Sequence, residues 1–332
     1  MKRKTCKKLM EQAKIILRER GQKAFETAKN TVLKEKIKYK PVYEALRYFM
    51  EEGWYDFQHP ALLSLACEAV GGNPDETNQI GAAMVLMAGA ADIHDDIIDK
   101  SETKASKLTV FGKFGKDIAL LAGDALLFEG LSLLQDACED LPKKQRKVIL
   151  KLSKQAFFEI GSAEAKETSF KGKYDLAAEE YRNLIELKVA VAEANTRIGA
   201  ILGGGTPEEI DALGRYGRSL GILMTIRDEF IDTFEPNELK NRAKNECLPL
   251  PVLYVFQNSA VKKRITPLLQ KKEITEEDSN KIVNIIFETK EIQNLKGEIK
   301  EVFRKASAEI RTVKCSVRPV LKLLLAASVE DL

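Results

Sequence analysis

The 332-residue chain contains no CxxC pair, no apolar run of about 18 residues and almost no surplus of either charge. Its five cysteines, Cys6, Cys67, Cys138, Cys247 and Cys315, are odd in number and far apart. That argues against a disulfide framework and a zinc site and fits a reducing cytosol, so a cytoplasmic location is expected. A formal net charge of +3 in a chain that is 31% charged lacks the basic character of a nucleic-acid binder. The missing apolar run excludes a transmembrane helix. The opening MKRKTCKKLMEQAKIILRER is basic, but its apolar residues sit at helical spacing among charges and never form a signal peptide's apolar stretch. A surface-lying amphipathic helix is the alternative for this segment. Alternating β-branched runs are also missing, so no sheet is expected.

What remains is helix, with a 44% hydrophobic content that is ample for a core. Ala, Leu, Glu and Lys dominate at the helical period. Asn73-Pro74 after Gly71-Gly72 reads as an N-cap with proline at the first helical position, opening a helix to about Lys100. Thr206 and Glu209 are spaced as a capping box for a helix carrying through Asp232. Further helices are expected over roughly 117–139, 143–168 and 176–202. No gap has the composition of an interdomain linker, so the chain reads as one domain over residues 1–332, with a helical segment at 1–40 and a bundle at 41–332.

Two acidic clusters end otherwise apolar helices. In AADIHDDIIDK, Asp95 and Asp99 are four apart and share a helix face, with Asp96 beside them. GILMTIRDEFIDTFE repeats the design with Asp228, Glu229 and Asp232. Like charges stacked this way repel, a cost that bridging Mg²⁺ relieves, and Mg²⁺ favours one or two carboxylates plus water and phosphate oxygens. The bland reading, a solvated acidic face, fits poorly on helices this apolar. The loops that follow carry Lys100, Lys104, Lys107, Lys113 and Lys116, and Lys240, Arg242 and Lys244, which suit phosphate.

Through these motifs the sequence resembles the trans-isoprenyl diphosphate synthases from about Ala61 to Val252. DDIID after His94 resembles the family's first aspartate-rich motif, and RDEFID the second. TVFGKFG, LAGDALL, EEYRNLIELK, LACEAVGG and LPLPVLY are similar to further family stretches. The resemblance implies an all-α, single-domain antiparallel bundle around a central cavity, the isoprenoid synthase fold, and usually a homodimer, with a heteromer of homologous chains as the alternative. It implies an allylic prenyl diphosphate substrate gripped by three Mg²⁺ ions on Asp95, Asp96, Asp99, Asp228 and Asp232, with Glu229 among the catalytic carboxylates. It also implies a diphosphate bound by Lys104, Lys188, Arg227 and Lys244, and a pocket with Met87, Ala90, Ala91 and Asp92. Small residues at Ala90 and Ala91 leave depth for a C15 to C25 substrate; ordinary packing is the alternative.

The chain departs from the family where the second substrate, isopentenyl diphosphate, is held. Asp56, Phe57 and His59 stand in place of Lys, Arg and Arg, Ala88 in place of a histidine, and Lys104-Ala105 in place of an arginine pair. At about 1.5 kcal/mol or more per charge-assisted contact, three such absences forfeit roughly a thousandfold in affinity. The expectation is therefore a terpene-synthase-like enzyme that ionises one allylic diphosphate without condensation. A chain-elongating prenyltransferase and a weakly active partner subunit are the alternatives. Trp54, Tyr55 and Phe57 are read as apolar filler over the vacated site, or else as an aromatic lid. Asp92 is read as a paired carboxylate or a group steering a cation, and His94 as a core histidine or a partner of the metal ligands. Glu164 and Glu167 are left without a role.

Overall fold

The computed structural model describes residues 2–104, 106–311, 313, 316–330 and 332; Ala105 and Cys315 lie outside them. The amino-terminal half holds α1 (Lys2–Lys34), α2 (Lys40–Tyr48), α3 (Gln58–Ala69), α4 (Asn78–Asp99), α5 (Val110–Phe114), α6 (Lys116–Ala137) and α7 (Lys143–Thr168). Then come α8 (Ala178–Lys188), α9 (Ala190–Leu202), α10 (Pro207–Phe234) and α11 (Pro236–Asn245). The carboxy-terminal part is α12 (Leu250–Val255), α13 (Ser259–Leu269), α14 (Glu276–Phe287), α15 (Lys290–Glu309) and α16 (Arg318–Val329).

The local signals act as expected. Asn73 accepts from the Asp75 amide with Pro74 at the first helical position, although the first turn, Pro74–Thr77, is 3-10. The Thr206 side chain and Glu209 form a reciprocal capping box on α10. Two expectations are corrected. A small antiparallel hairpin, Thr103–Lys104 with Lys107–Leu108, follows α4, because the chain turns back at Lys100 and Ser106, both at positive φ. The stretch 176–202 is two helices broken at Val189, where Gly221 of α10 packs so closely that a Cβ there would lie 2.7 Å from Val189 Cβ.

The long helices pack as a bundle. α4 lies on α6, α3 on α9, and α9 on α10. α1 packs on α3, α4 and α16, so the amino-terminal helix closes one side of the bundle and does not stand apart as a surface helix. α4 runs between two apolar clusters, one with Leu46, Phe49 and Leu126 and one with Leu63, Met84 and Ile198. Gly123 of α6 admits His94, whose Nε2 would lie 2.5 Å from a Cβ at that position. The third and largest cluster joins α10 to α12, α15 and α16. Its packing carries the acidic end of α10. Among the described residues no helix is long and apolar enough to cross a membrane.

Candidate active site

The acidic end of α4 is not a solvated face. Asp96 is buried, and burial pushes its carboxyl up to about 7 against the pull of Lys104, with Asp92 and Asp95 adding to the rise. Lys104, carried on the hairpin, bonds Asp92 at 2.9 Å and lies 3.7 Å from Asp96. Asp92 is thus a paired carboxylate. Asp99 pairs with Lys171 at 3.1 Å, and Lys171 also donates to the Ile98 carbonyl. Burial, then Asp95, raises Asp99. His94 lies 3.3 Å from Asp124 of α6.

A line of hydrogen bonds and ion pairs runs from this end to the end of α10. Asp95 faces the carboxyl of Glu164, which burial raises to about 7 against Lys188, with Asp95 and Glu167 adding to it. Lys188 bonds both Glu164, at 3.3 Å, and Glu167. Burial opposes the Lys188 charge, yet Glu167, Glu164 and Asp95 hold its ammonium above the ordinary lysine range. Glu167 then accepts from Tyr181 Oη at 3.2 Å, and the same hydroxyl lies 2.9 Å from Glu229. Arg242 closes the line, bonding Tyr181 at 2.8 Å, Glu229 at 3.0 Å and Asp232 at 2.8 Å.

Several candidates sit differently from expectation. Glu229 is sealed inside, accepting from Arg242, Tyr181 and the Leu250 amide, so it is committed to holding the fold. Asp228 is exposed as a whole residue, yet burial raises its carboxyl to about 6 against Arg227, with Glu229 adding to the rise; Asp232 is half-buried, its carboxyl likewise raised to about 6 by burial against Arg242, with Glu229, Glu238 and Asp228 adding to the rise. Lys244 does not reach either cluster: it is exposed and donates to the Lys272 carbonyl. Lys240 is likewise drawn to Glu273, Lys107 to the Glu52 carbonyl and Lys113 to the Tyr48 ring. From the Lys-rich loops, Lys104 and Arg242 enter the network. Ala90 is sealed against the core that contains Phe49, while Met87 and Ala91 are half-buried.

Lys171, Tyr181 and Glu246 escaped the sequence reading. Burial lifts Glu246 to about 8 against Arg242, with Asp99, Asp95 and Glu167 adding to it, which places it between the two acidic ends. Tyr181 had a usable signal, since it lies seven residues before Lys188 on the same helix face. Lys171 had none beyond its place in a loop.

The carboxylate excess suits hard cations. Asp95 Oδ1 is buried without a hydrogen-bond partner, and burial and crowding push Asp96, Asp99, Glu164, Asp232 and Glu246 toward neutrality. Among the described residues no three His, Cys, Asp or Glu side chains converge tightly enough to hold an ion alone.

The start of α3 is built to refuse an anion. Asp56 is buried there, accepting from the Gln58 and His59 amides at 2.8 and 3.1 Å and from His59 Nδ1 at 2.6 Å. Burial opposes both charges, but each partner sustains the other, so Asp56 is lowered and His59 raised. Trp54 stacks on Phe49 and Phe57 meets Phe25 edge-on, as filler, whereas Tyr55 is exposed.

A family model described as polyprenyl synthetase matches residues 40–286. A short chain isoprenyl diphosphate synthase from Methanothermobacter thermautotrophicus is 33% identical over 181 residues, 54% of each chain. A geranylgeranyl diphosphate synthase from Methanosarcina mazei is 32% identical over 208 residues, 62% of this chain and 63% of that one. The matches thus span between half and two thirds of these relatives' own length. A geranylgeranyl pyrophosphate synthetase structure from Pyrococcus horikoshii superposes with a TM-score of 0.82 at 24% identity, covering 98% of both chains, which establishes the all-α isoprenoid synthase fold. These relatives correct the terpene-synthase-like expectation, because they are named as diphosphate synthases. The physical reason is that the missing basic residues at the start of α3 bear on one local anion site and say nothing about the rest of the bundle.

Proposed function

Because this chain belongs to the polyprenyl synthetase family, we propose that it is a chain-elongating prenyltransferase joining an allylic prenyl diphosphate to isopentenyl diphosphate. The observation that carries this reading is the line of pairs from Glu164, whose carboxyl Asp95 faces, through Lys188, Glu167, Tyr181 and Arg242 to Asp232. It runs between the two acidic helix ends. Asp95, Asp96 and Asp99 on α4, and Asp228 and Asp232 on α10, are the residues that would hold Mg²⁺, three ions in all. Bound there, the metal would neutralise the diphosphate as it departs.

The chain's own residues do the rest. Lys104, Lys171 and Lys188 stand beside the carboxylates as cations that can turn to the phosphate oxygens when Mg²⁺ takes the carboxylates. Arg242 holds Asp232 in place and replaces Lys244 as the basic residue of that loop. Arg227 lies one residue before Asp228. Ala91, small and half-buried on α4, is the residue that would leave depth for a C15 to C25 chain, whereas Ala90 is sealed in the core. A second copy of the chain is the partner that best suits α6, where Leu121, Phe128 and Leu131 stand at least half exposed.

The test is product analysis with Mg²⁺. Farnesyl or geranylgeranyl diphosphate together with isopentenyl diphosphate should give a longer diphosphate. Release of diphosphate and a hydrocarbon from the allylic substrate alone, with no lengthened product, would overturn the proposal.

A further inference from the structure

The balanced total charge hides one local excess. Residues 141–158, LPKKQRKVILKLSKQAFF, carry six basic and no acidic side chains in a chain whose net charge is +3. They open α7, whose Ile149, Ala156 and Ala163 turn inward. Lys144, Lys147, Lys151, Lys154 and Phe158 follow one another at spacings of three and four residues, so they share one face of the helix, and all five are exposed. At its start α7 borders an open depression of about 540 Å³, lined by Lys143, Arg146 and Lys147, by Leu141 and Leu150, and by one carboxylate, Glu139. We propose that this face of α7 is a docking surface for an anionic lipid bilayer, its cations meeting the headgroup phosphates and Phe157 and Phe158 entering the boundary with the acyl chains. The proposal goes beyond the prenyltransferase reading and stands without it.

Among the described residues none of the six cations is ion-paired, whereas the next acid along the helix, Glu159, is taken by Arg218 at 3.0 Å. A solvated helix face ordinarily interleaves both signs of charge. This one keeps a single sign for about four turns and ends in two large aromatic rings. Phe157 and Phe158 are 47% and 62% exposed and meet edge-on, with the Lys154 ammonium 5.9 Å from the Phe158 ring. Basic residues beside exposed aromatics are the make-up of a helix that lies on a membrane surface. Charge and polarity together select the occupant. A second copy of the chain, docked face to face, would set like charges against each other. A nucleic acid supplies phosphates but no apolar layer for the phenylalanine rings or for the leucines of the depression, and a bilayer supplies both. Leu141 and Leu150 pack on the cluster of Met84, Leu134 and Ile149, so the floor of the depression is the outer skin of the core. The face also stands away from the acidic helix ends. Glu164, which faces Asp95, is twenty-one residues beyond Lys143, about 32 Å along the helix.

The test is cosedimentation of the 332-residue protein with vesicles of phosphatidylcholine, alone or with about 30% phosphatidylglycerol. The anionic vesicles should bind it at least about tenfold more tightly than the neutral ones at about 0.1 M salt, and the difference should shrink at about 0.5 M. Lys147→Gln with Lys151→Gln should weaken binding to the anionic vesicles about 10- to 30-fold. Phe158→Ser should weaken it about 3- to 10-fold, a loss that persists at high salt. All three positions are exposed, and an unchanged far-UV circular dichroism signal separates lost docking from lost folding. Equal binding to both kinds of vesicle, no binding to either, or binding to anionic vesicles that neither variant weakens overturns the proposal. A single-stranded RNA oligonucleotide that binds through the same lysines and strips the protein from the vesicles also overturns it, in favour of a nucleic-acid surface.

Discussion

The ends of α4 and α10 carry the same pattern of carboxylates four residues apart, yet they are held in opposite ways. At α4 the partners are Lys104 and Lys171, long side chains reaching in from loops. At α10 the partner is Arg242, itself buried, which takes Glu229, Asp232 and Tyr181 at once. Lysine ammoniums on flexible stems are readily exchanged for metal or phosphate. A buried guanidinium with several satisfied hydrogen bonds is not, because removing either partner strands a charge. One motif thus serves two tasks. In the proposed site the α4 end would be the adjustable side and the α10 end the fixed wall.

Removing the adjustable side should have the largest effect. Asp95→Ala with Asp99→Ala is expected to cut turnover at least about a thousandfold while far-UV circular dichroism keeps its helical signal. Retained activity would show that the α4 end does no chemistry. On the fixed side, Arg242→Met leaves Glu229 buried without its counter-charge and should cost about 3 to 5 kcal/mol in urea unfolding. Adding Glu229→Gln should restore part of that. If Arg242→Met left stability intact and abolished only turnover, the contrast between the two ends would fail.

A smaller effect sharpens the comparison with the start of α3. His59 is raised in the folded state by Asp56, so its contribution is fully present below about pH 6.5 and fades as pH rises through its folded value. Thermal melts should therefore show stability falling above about pH 6.5, with the fall flattened in Asp56→Asn. The smallest effect belongs to Lys244→Ala, which should leave the allylic KM within about twofold, since this lysine is tied to the Lys272 carbonyl. A tenfold rise would return Lys244 to the site.

Much of the fold and the two acidic ends of the candidate site were readable in the chain itself. Helix caps at Asn73 and Thr206 are local chemistry, and the helical period of α4 and α10 fixed which carboxylates share a face. Tertiary choices were not readable. Nothing in the spacing of Lys240, Arg242 and Lys244 says which of the three turns inward, because that depends on Tyr181 and Glu229 arriving from other helices. The break at Val189 depends on Gly221 thirty-two residues on. The hairpin after α4 follows from positive φ at Lys100 and Ser106, where side chains gave no turn signal. The second-substrate reading failed for a related reason: absent residues at α3 were visible, but they describe one local anion site and not the rest of the bundle.

The central claim is that α4 and α10 present their carboxylates to one diphosphate. A crystal structure with Mg²⁺ and inorganic diphosphate tests it most directly. The account predicts ions ligated by Asp95 and Asp99 on one side and by Asp228 and Asp232 on the other, all touching the same diphosphate. Ions confined to a single helix end, with the diphosphate bound away from the other, would contradict it.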